Sequence, residues 1–83
     1  MQLAGTSALV VGGSSGLGLA TARSLVERGV QVVVMARDKV RGRDAASRIG
    51  AVYCAGDAAD PSSVISAVQS AEALAPFRSL VVC

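Results

Sequence analysis

Short apolar runs alternate with longer stretches of helical spacing along this chain. Ser7-Ala8-Leu9-Val10-Val11 is a compact apolar run that stops at Gly12, and it predicts a strand. Leu17 to Arg28 predicts a helix, with Leu17, Ala20, Thr21, Ser24, Leu25 and Arg28 on one face and Arg23 and Glu27 off it. Gly29 is a helix stop of the expected kind. Val30 to Met35 is β-branched and almost uninterrupted, which suits a strand buried on both faces. The polar stretch Arg37 to Arg48 predicts a loop and an exposed helix ending near Gly50, and Ala51-Val52-Tyr53-Cys54-Ala55 a third strand. Asp60-Pro61 has the form of an N-cap with proline at the first helical position. Val64, Ile65, Val68, Ala71 and Leu74 mark the face of a third helix that Pro76 ends, and Ser79 to Cys83 begins a fourth strand.

The predicted order is βαβαβαβ. Such alternation implies an α/β fold, a parallel sheet with helices on both faces and right-handed crossovers. The expected strand order is 3-2-1-4, the first portion of a doubly wound, Rossmann-type sheet. A length of 83 residues is short for a domain, so residues 1–83 are expected to form the N-terminal portion of a single one. The apolar share of 52% separates the chain from disordered tails.

What is absent narrows the chemistry. The chain has no histidine, which excludes a Ser-His-Asp triad, a Cys-His pair and a Cys2His2 zinc site. Two cysteines are too few for a disulfide scaffold. No signal-peptide pattern opens the chain, and no apolar run nears the roughly 20 residues of a membrane span. A net charge of +2 gives little reason to expect nucleic acid. A reduced, cytoplasmic protein without membrane or nucleic-acid partners is the expectation.

The strongest local signal is Gly12-Gly13-Ser14-Ser15-Gly16-Leu17-Gly18, between the first strand and the first helix. There the chain must turn sharply out of the sheet, and the backbone can approach a pyrophosphate with no side chain in the way. The helix start then offers free N–H groups and the positive end of its dipole. Gly12 suits the turn, Gly16 the close approach and Gly18 tight helix–strand packing, with Ser14, Ser15 and Leu17 completing the candidate cradle. The spacing is not G-x-G-x-x-G, because Thr21 stands where the last glycine would fall, and no Gly-Lys-Ser/Thr follows as in a P-loop.

Gly12-x-x-x-Gly16-x-Gly18 after a strand resembles the cofactor motif of the short-chain dehydrogenases/reductases. The run from Gly12 to Ala22 is similar to members of the type II 3-hydroxyacyl-CoA dehydrogenase kind, and the resemblance covers all 83 residues. Val11 departs from it, since the family most often has threonine there. The resemblance implies a nicotinamide dinucleotide as cofactor and a homo-oligomeric full-length parent.

The end of the second strand reads Val34-Met35-Ala36-Arg37-Asp38. In a dinucleotide fold, an acidic residue about 20 positions past the glycines accepts from the ribose hydroxyls. That position is Ala36, and Arg37 follows it. A guanidinium there can pair with a 2′-phosphate, which favours NADP(H) over NAD(H). The alternative leaves Arg37 solvated and gives the ribose contact to Asp38. The resemblance also implies that Asp57 meets the adenine amino group and the Ala58 N–H its ring, against the plainer reading of Asp57 as the start of an Asx-turn. Cys83 falls where the family has an asparagine-rich segment near the nicotinamide ribose, although Val82 replaces the usual first asparagine.

The basic stretch Arg37, Lys39, Arg41, Arg43 and Arg48 carries no aromatics that could stack on bases, and reads as a solvated helix face. With strand order 3-2-1-4, Cys54 and Cys83 lie roughly 14 Å apart, beyond the about 7 Å a disulfide tolerates. Two free thiols are expected, with Cys54 in the core.

In the family, a tyrosine, a lysine four residues on and a serine carry hydride-transfer chemistry beyond the fourth strand. Here the only tyrosine is Tyr53, followed four residues on by Asp57, and the only lysine is Lys39. No catalytic residue and no metal site is assigned. The sequence thus supports the cofactor-binding half of an NAD(P)-dependent oxidoreductase acting on a secondary alcohol or ketone, for instance a 3-hydroxyacyl thioester. Its alternative is a non-catalytic dinucleotide-binding module or sensor. The fourth strand discriminates between them: Leu80-Val81-Val82 would be an exposed apolar edge if the chain ended there, which favours a continuation supplied by the remainder of the fold or by a partner chain.

Overall fold

The computed structural model describes residues 4–12 and 16–82. Its element order is β1 (Ser7–Val11), α1 (Gly16–Glu27), β2 (Gln31–Ala36), α2 (Lys39–Ile49), β3 (Val52–Ala55), α3 (Pro61–Leu74) and β4 (Phe77–Val82). All strand pairs are parallel and the order is β3-β2-β1-β4, as the alternation predicted.

The two central strands are buried on both faces, β1 throughout and β2 in all but Gln31. One face of the sheet presents Ala8, Val10, Val32 and Val34 to Ala22, Leu25 and Val26 of α1 and Ile49 of α2. The other presents Leu9, Val11, Val33 and Met35 to Val64, Ala67, Val68 and Ala71 of α3. The edge strands are only partly covered. Cys54, half-buried on the α3 face, is a free thiol and not a fully enclosed core residue.

Two helix faces differ from the sequence expectation. In α1 the packed positions are Gly18, Ala22, Leu25 and Val26, while Leu17, Ala20, Ser24 and Arg28 are exposed. In α3, Val64, Val68 and Ala71 pack against the sheet as expected and Ala67 joins them, whereas Ile65 and Leu74 stand exposed. The cause is the same in both. Glycine and alanine let a helix axis come close to the sheet, so small side chains sit at the centre of the contact, with Leu25, Val26, Val64 and Val68 flanking it and Leu17, Ile65 and Leu74 turned to solvent.

The helix ends follow local chemistry. Asp38 caps α2, its Oδ1 accepting from the Val40 and Arg41 N–H groups, and Gly50 closes that helix at φ 77°. Asp60 caps α3 with Pro61 in the first turn. The Ser62 hydroxyl, the Ser62 N–H and the Ser63 hydroxyl donate to the Asp60 carboxylate and hold it below the usual aspartate range. At the opposite end, the buried Ser7 hydroxyl donates to the Ala75 carbonyl at 2.9 Å and ties β1 to the end of α3.

Candidate functional site

Parallel pairing puts the carboxyl ends of β1, β2 and β3 at one edge of the sheet. Val11 pairs with Met35, Met35 with Cys54, and Ala36 with Ala55. Gly12, Arg37 and the Gly56-Asp57 pair therefore leave three adjacent strands side by side, at a spacing of about 4.8 Å per strand. In open parallel sheets this edge is where ligands bind.

Gly12 has φ 80°, in the left-handed region that a Cβ disfavours, and its N–H donates to the Met35 carbonyl at 2.9 Å. The turn out of β1 is thus anchored to the end of β2. Gly16, the first residue of α1, has φ 56°, and a Cβ built there would meet nothing within 4 Å. The space beside it is open. Gly18 is buried. Leu17 is 77% exposed beside the turn. Ser14 and Ser15 lie outside the described residues, as does Cys83.

The first turn of α1 contains no acidic side chain, so no carboxylate of its own offsets the positive end of the helix. Its first N–H groups lack intrahelical partners. Open space and a helix start free of carboxylates together fit a diphosphate. Among the described residues, no three His, Cys, Asp or Glu side chains cluster.

Arg37 is exposed at the end of β2. Asp38 is exposed as well, and Oδ1 of its carboxylate is occupied as the α2 cap. Beyond β3, Asp57 forms the Asx-turn, with Oδ1 accepting from the Ala59 N–H at 2.9 Å. The Asp57 carbonyl accepts from the Asp60 N–H at the start of α3. Ala58 lies exposed between them.

Three residues of this edge escaped the sequence reading. Gly56 donates its N–H to the Ala36 carbonyl at 3.3 Å, and a Cβ there would stand 2.8 Å from the Met35 sulfur. The Tyr53 hydroxyl donates to the same Ala36 carbonyl at 2.9 Å. Gly42, inside α2, leaves room for the Tyr53 ring, which a Cβ at that position would strike. A glycine in a helix interior costs about 1 kcal/mol relative to alanine. That unfavourable placement was the available signal.

An open groove of about 470 Å³ lies elsewhere, between α1 and the end of α2, lined by Leu19, Arg23, Glu27, Arg48 and Ile49 and meeting the strand-end site only at Gly16. Its charges are paired within the helices, Arg23 with Glu27 at 3.4 Å and Arg48 with Asp44 at 3.1 Å. It is a solvated helix–helix seam, in keeping with the basic stretch as an exposed face. Among the described residues no helix is long and apolar enough to cross a membrane.

The short chain dehydrogenase family model matches residues 6–83. A rhamnolipid-biosynthesis 3-oxoacyl-[acyl-carrier-protein] reductase of Pseudomonas aeruginosa is 44% identical over 74 residues, which cover 88% of this chain and 29% of that protein. Human retinol dehydrogenase 12 is 41% identical over 49 residues, 59% of this chain and 16% of that protein. Among solved structures, a 3-hydroxyacyl-CoA dehydrogenase type-2 from Mycobacterium avium superposes with a TM-score of 0.89 at 34% identity, covering 95% of this chain and 32% of that one. The chain thus spans less than a third of the length of each of these relatives. With the strand order, the glycine turn and the family match in agreement, the chain belongs to the short chain dehydrogenase family of oxidoreductases.

Proposed function

We propose that this chain is the N-terminal portion of a single NAD(P)-binding domain and holds the adenosine and diphosphate half of the cofactor, with NADP(H) favoured over NAD(H). The observation that carries this reading is the pair of positive-φ glycines, Gly12 and Gly16, leaving β1 and opening α1 beside the exposed Arg37. Backbone donors of the turn after Gly12 and of the start of α1, with the Ser14 and Ser15 hydroxyls, bind the diphosphate. Arg37 pairs with the 2′-phosphate through charge-assisted hydrogen bonds. Asp57 accepts from the adenine amino group, and the Ala58 N–H meets the ring. Cys83 contributes beside the nicotinamide ribose.

The bound dinucleotide supplies a hydride donor or acceptor, and the whole protein interconverts a secondary alcohol and a ketone. A 3-hydroxyacyl or 3-oxoacyl thioester is the substrate class suggested by two of the relatives. No acid/base role falls to Tyr53, because the residue four positions on is Asp57 and not a lysine. The cytoplasm suits a protein with a free, partly accessible Cys54 thiol.

The test is titration with NADPH and NADH before and after Arg37→Asp. The expected result is a fall in the preference for NADPH on the order of 10- to 100-fold, as hydrogen bonds to a charged group are worth. An unchanged ratio refutes the choice of cofactor, and binding of neither dinucleotide refutes the site.

A further inference from the structure

The end of β2 is held from three sides. The Gly12 N–H donates to the Met35 carbonyl at 2.9 Å, the Gly56 N–H to the Ala36 carbonyl at 3.3 Å, and the Tyr53 hydroxyl to that same carbonyl at 2.9 Å. The first two bonds are backbone bonds that any sequence with this sheet could make. The third comes from a side chain, and it requires a second concession. The Tyr53 ring lies against α2 at Gly42, where a Cβ would stand 2.7 Å from Cδ1 of the ring and closer still to its neighbour Cε1. Helix α2 therefore carries a glycine in its interior, at a cost of about 1 kcal/mol, where the tyrosine passes beneath it.

The bonded carbonyl matters because of what shares its plane. The Ala36 C=O and the Arg37 N–H belong to one peptide unit, which is planar and rigid. Fixing the carbonyl fixes the direction in which the chain leaves for the Arg37 Cα. Immediately beyond, Asp38 is locked as the α2 cap, and its carbonyl accepts from the Gly42 N–H at 2.8 Å. Arg37 is thus the one exposed residue between a pinned peptide and a capped helix, and Gly42 touches both restraints.

We propose that Tyr53 and Gly42 are positioning residues for cofactor discrimination: the Tyr53–Ala36 bond, given room by Gly42, fixes the peptide that aims Arg37 at the 2′-phosphate. This rests on the reading of Arg37 given above. Neither residue touches the cofactor. Their effect falls on the ligand that carries the 2′-phosphate, and it passes through Arg37.

The test is a double-mutant cycle in the full chain, with Tyr53→Phe, Gly42→Ala and Arg37→Ala, read by the dissociation constants of NADPH and NADH, the melting temperature and the amide shifts of Arg37 and Asp38 without cofactor. Tyr53→Phe keeps the ring and removes one neutral hydrogen bond, so NADPH binding should weaken on the order of 3- to 10-fold while NADH binding stays the same. Gly42→Ala should reproduce that selective loss by displacing the ring. In the Arg37→Ala background neither change should alter the ratio further, and the amide shifts should move in both variants. Equal weakening of both dinucleotides, no change in either, the same ratio change with Arg37 absent, or unmoved amide shifts would each overturn the proposal. If instead Arg37→Ala alone leaves the ratio untouched while the amide shifts still move in Tyr53→Phe, the assignment of Arg37 to the 2′-phosphate has failed, and the role of the bond in discrimination fails with it. Should Gly42→Ala not fold, Tyr53→Phe decides alone.

Discussion

Strands β1 and β4 carry the same tripeptide, Leu-Val-Val, and lie side by side in register, Leu9 opposite Leu80, Val10 opposite Val81 and Val11 opposite Val82. Their surroundings are opposite. Leu9 is 0% exposed and Leu80 50%; Val11 is 6% exposed and Val82 67%. Chemistry and neighbour are shared, so the difference lies in what covers each strand. β1 has strands on both sides and helices on both faces, while β4 is at an edge of the described sheet and α3 lies mainly over β1 and β2. Burial here is a property of position in the sheet. The candidate site follows the same division, because its glycine turn leaves the fully enclosed strand and is anchored to the next enclosed one.

The largest effect expected from this contrast is on stability. Leu9→Ala should cost about 2–5 kcal/mol in chemical denaturation, because it opens a cavity between the sheet and α3. In the 83-residue chain Leu80→Ala should cost about 1 kcal/mol or less, since half of its side chain is in water there. Equal losses would mean that the two strands are equally packed and would break the comparison.

A smaller effect sharpens it at the other end of β1. Ser7→Ala removes the hydroxyl that reaches the Ala75 carbonyl. The expected cost is about 1 kcal/mol, the usual net worth of such a bond. A change below the resolution of the denaturation curve would show that the tether between β1 and the end of α3 does not contribute.

The smallest effect concerns the start of α3. The Asp60 carboxyl is lowered by the two serines that donate to it, so it is ionised in the folded protein at pH values where the unfolded chain is already taking up a proton. Its contribution is therefore complete above the ordinary aspartate value and is lost as pH falls through the lowered one. Asp60→Asn keeps a capping oxygen and removes the titration. The acid limb of an unfolding profile below about pH 4 should flatten in that variant, and an unchanged limb would assign acid sensitivity to other carboxylates.

Much of the architecture was legible in the sequence for a physical reason. Strands buried on both faces demand unbroken apolar runs, and Ser7 to Val11 and Val30 to Met35 supply them beside glycine and proline stops. The helix faces were less legible. Hydrophobicity pointed to Leu17, Ile65 and Leu74, which stand exposed, and passed over Ala22 and Ala67, which close packing selected. In the site, the left-handed Gly12 and Gly16 followed from their place after a strand. The Tyr53–Ala36 bond did not, because it depends on the register between β2 and β3, which brings Ala36 opposite Ala55. The cap at Asp38 was hidden by a competing role, since the same carboxylate suited a ribose contact on paper.

The central claim is that the cofactor lies across the carboxyl ends of β1, β2 and β3. Its most direct test is a backbone amide shift titration with NADPH. The large changes are expected to fall on Gly12, Gly16 to Gly18, Arg37, Asp57 and Ala58. Changes gathered instead at the amino ends of the strands, around Thr6, Gln31 and Phe77, or along the Arg23 and Arg48 groove, would contradict it.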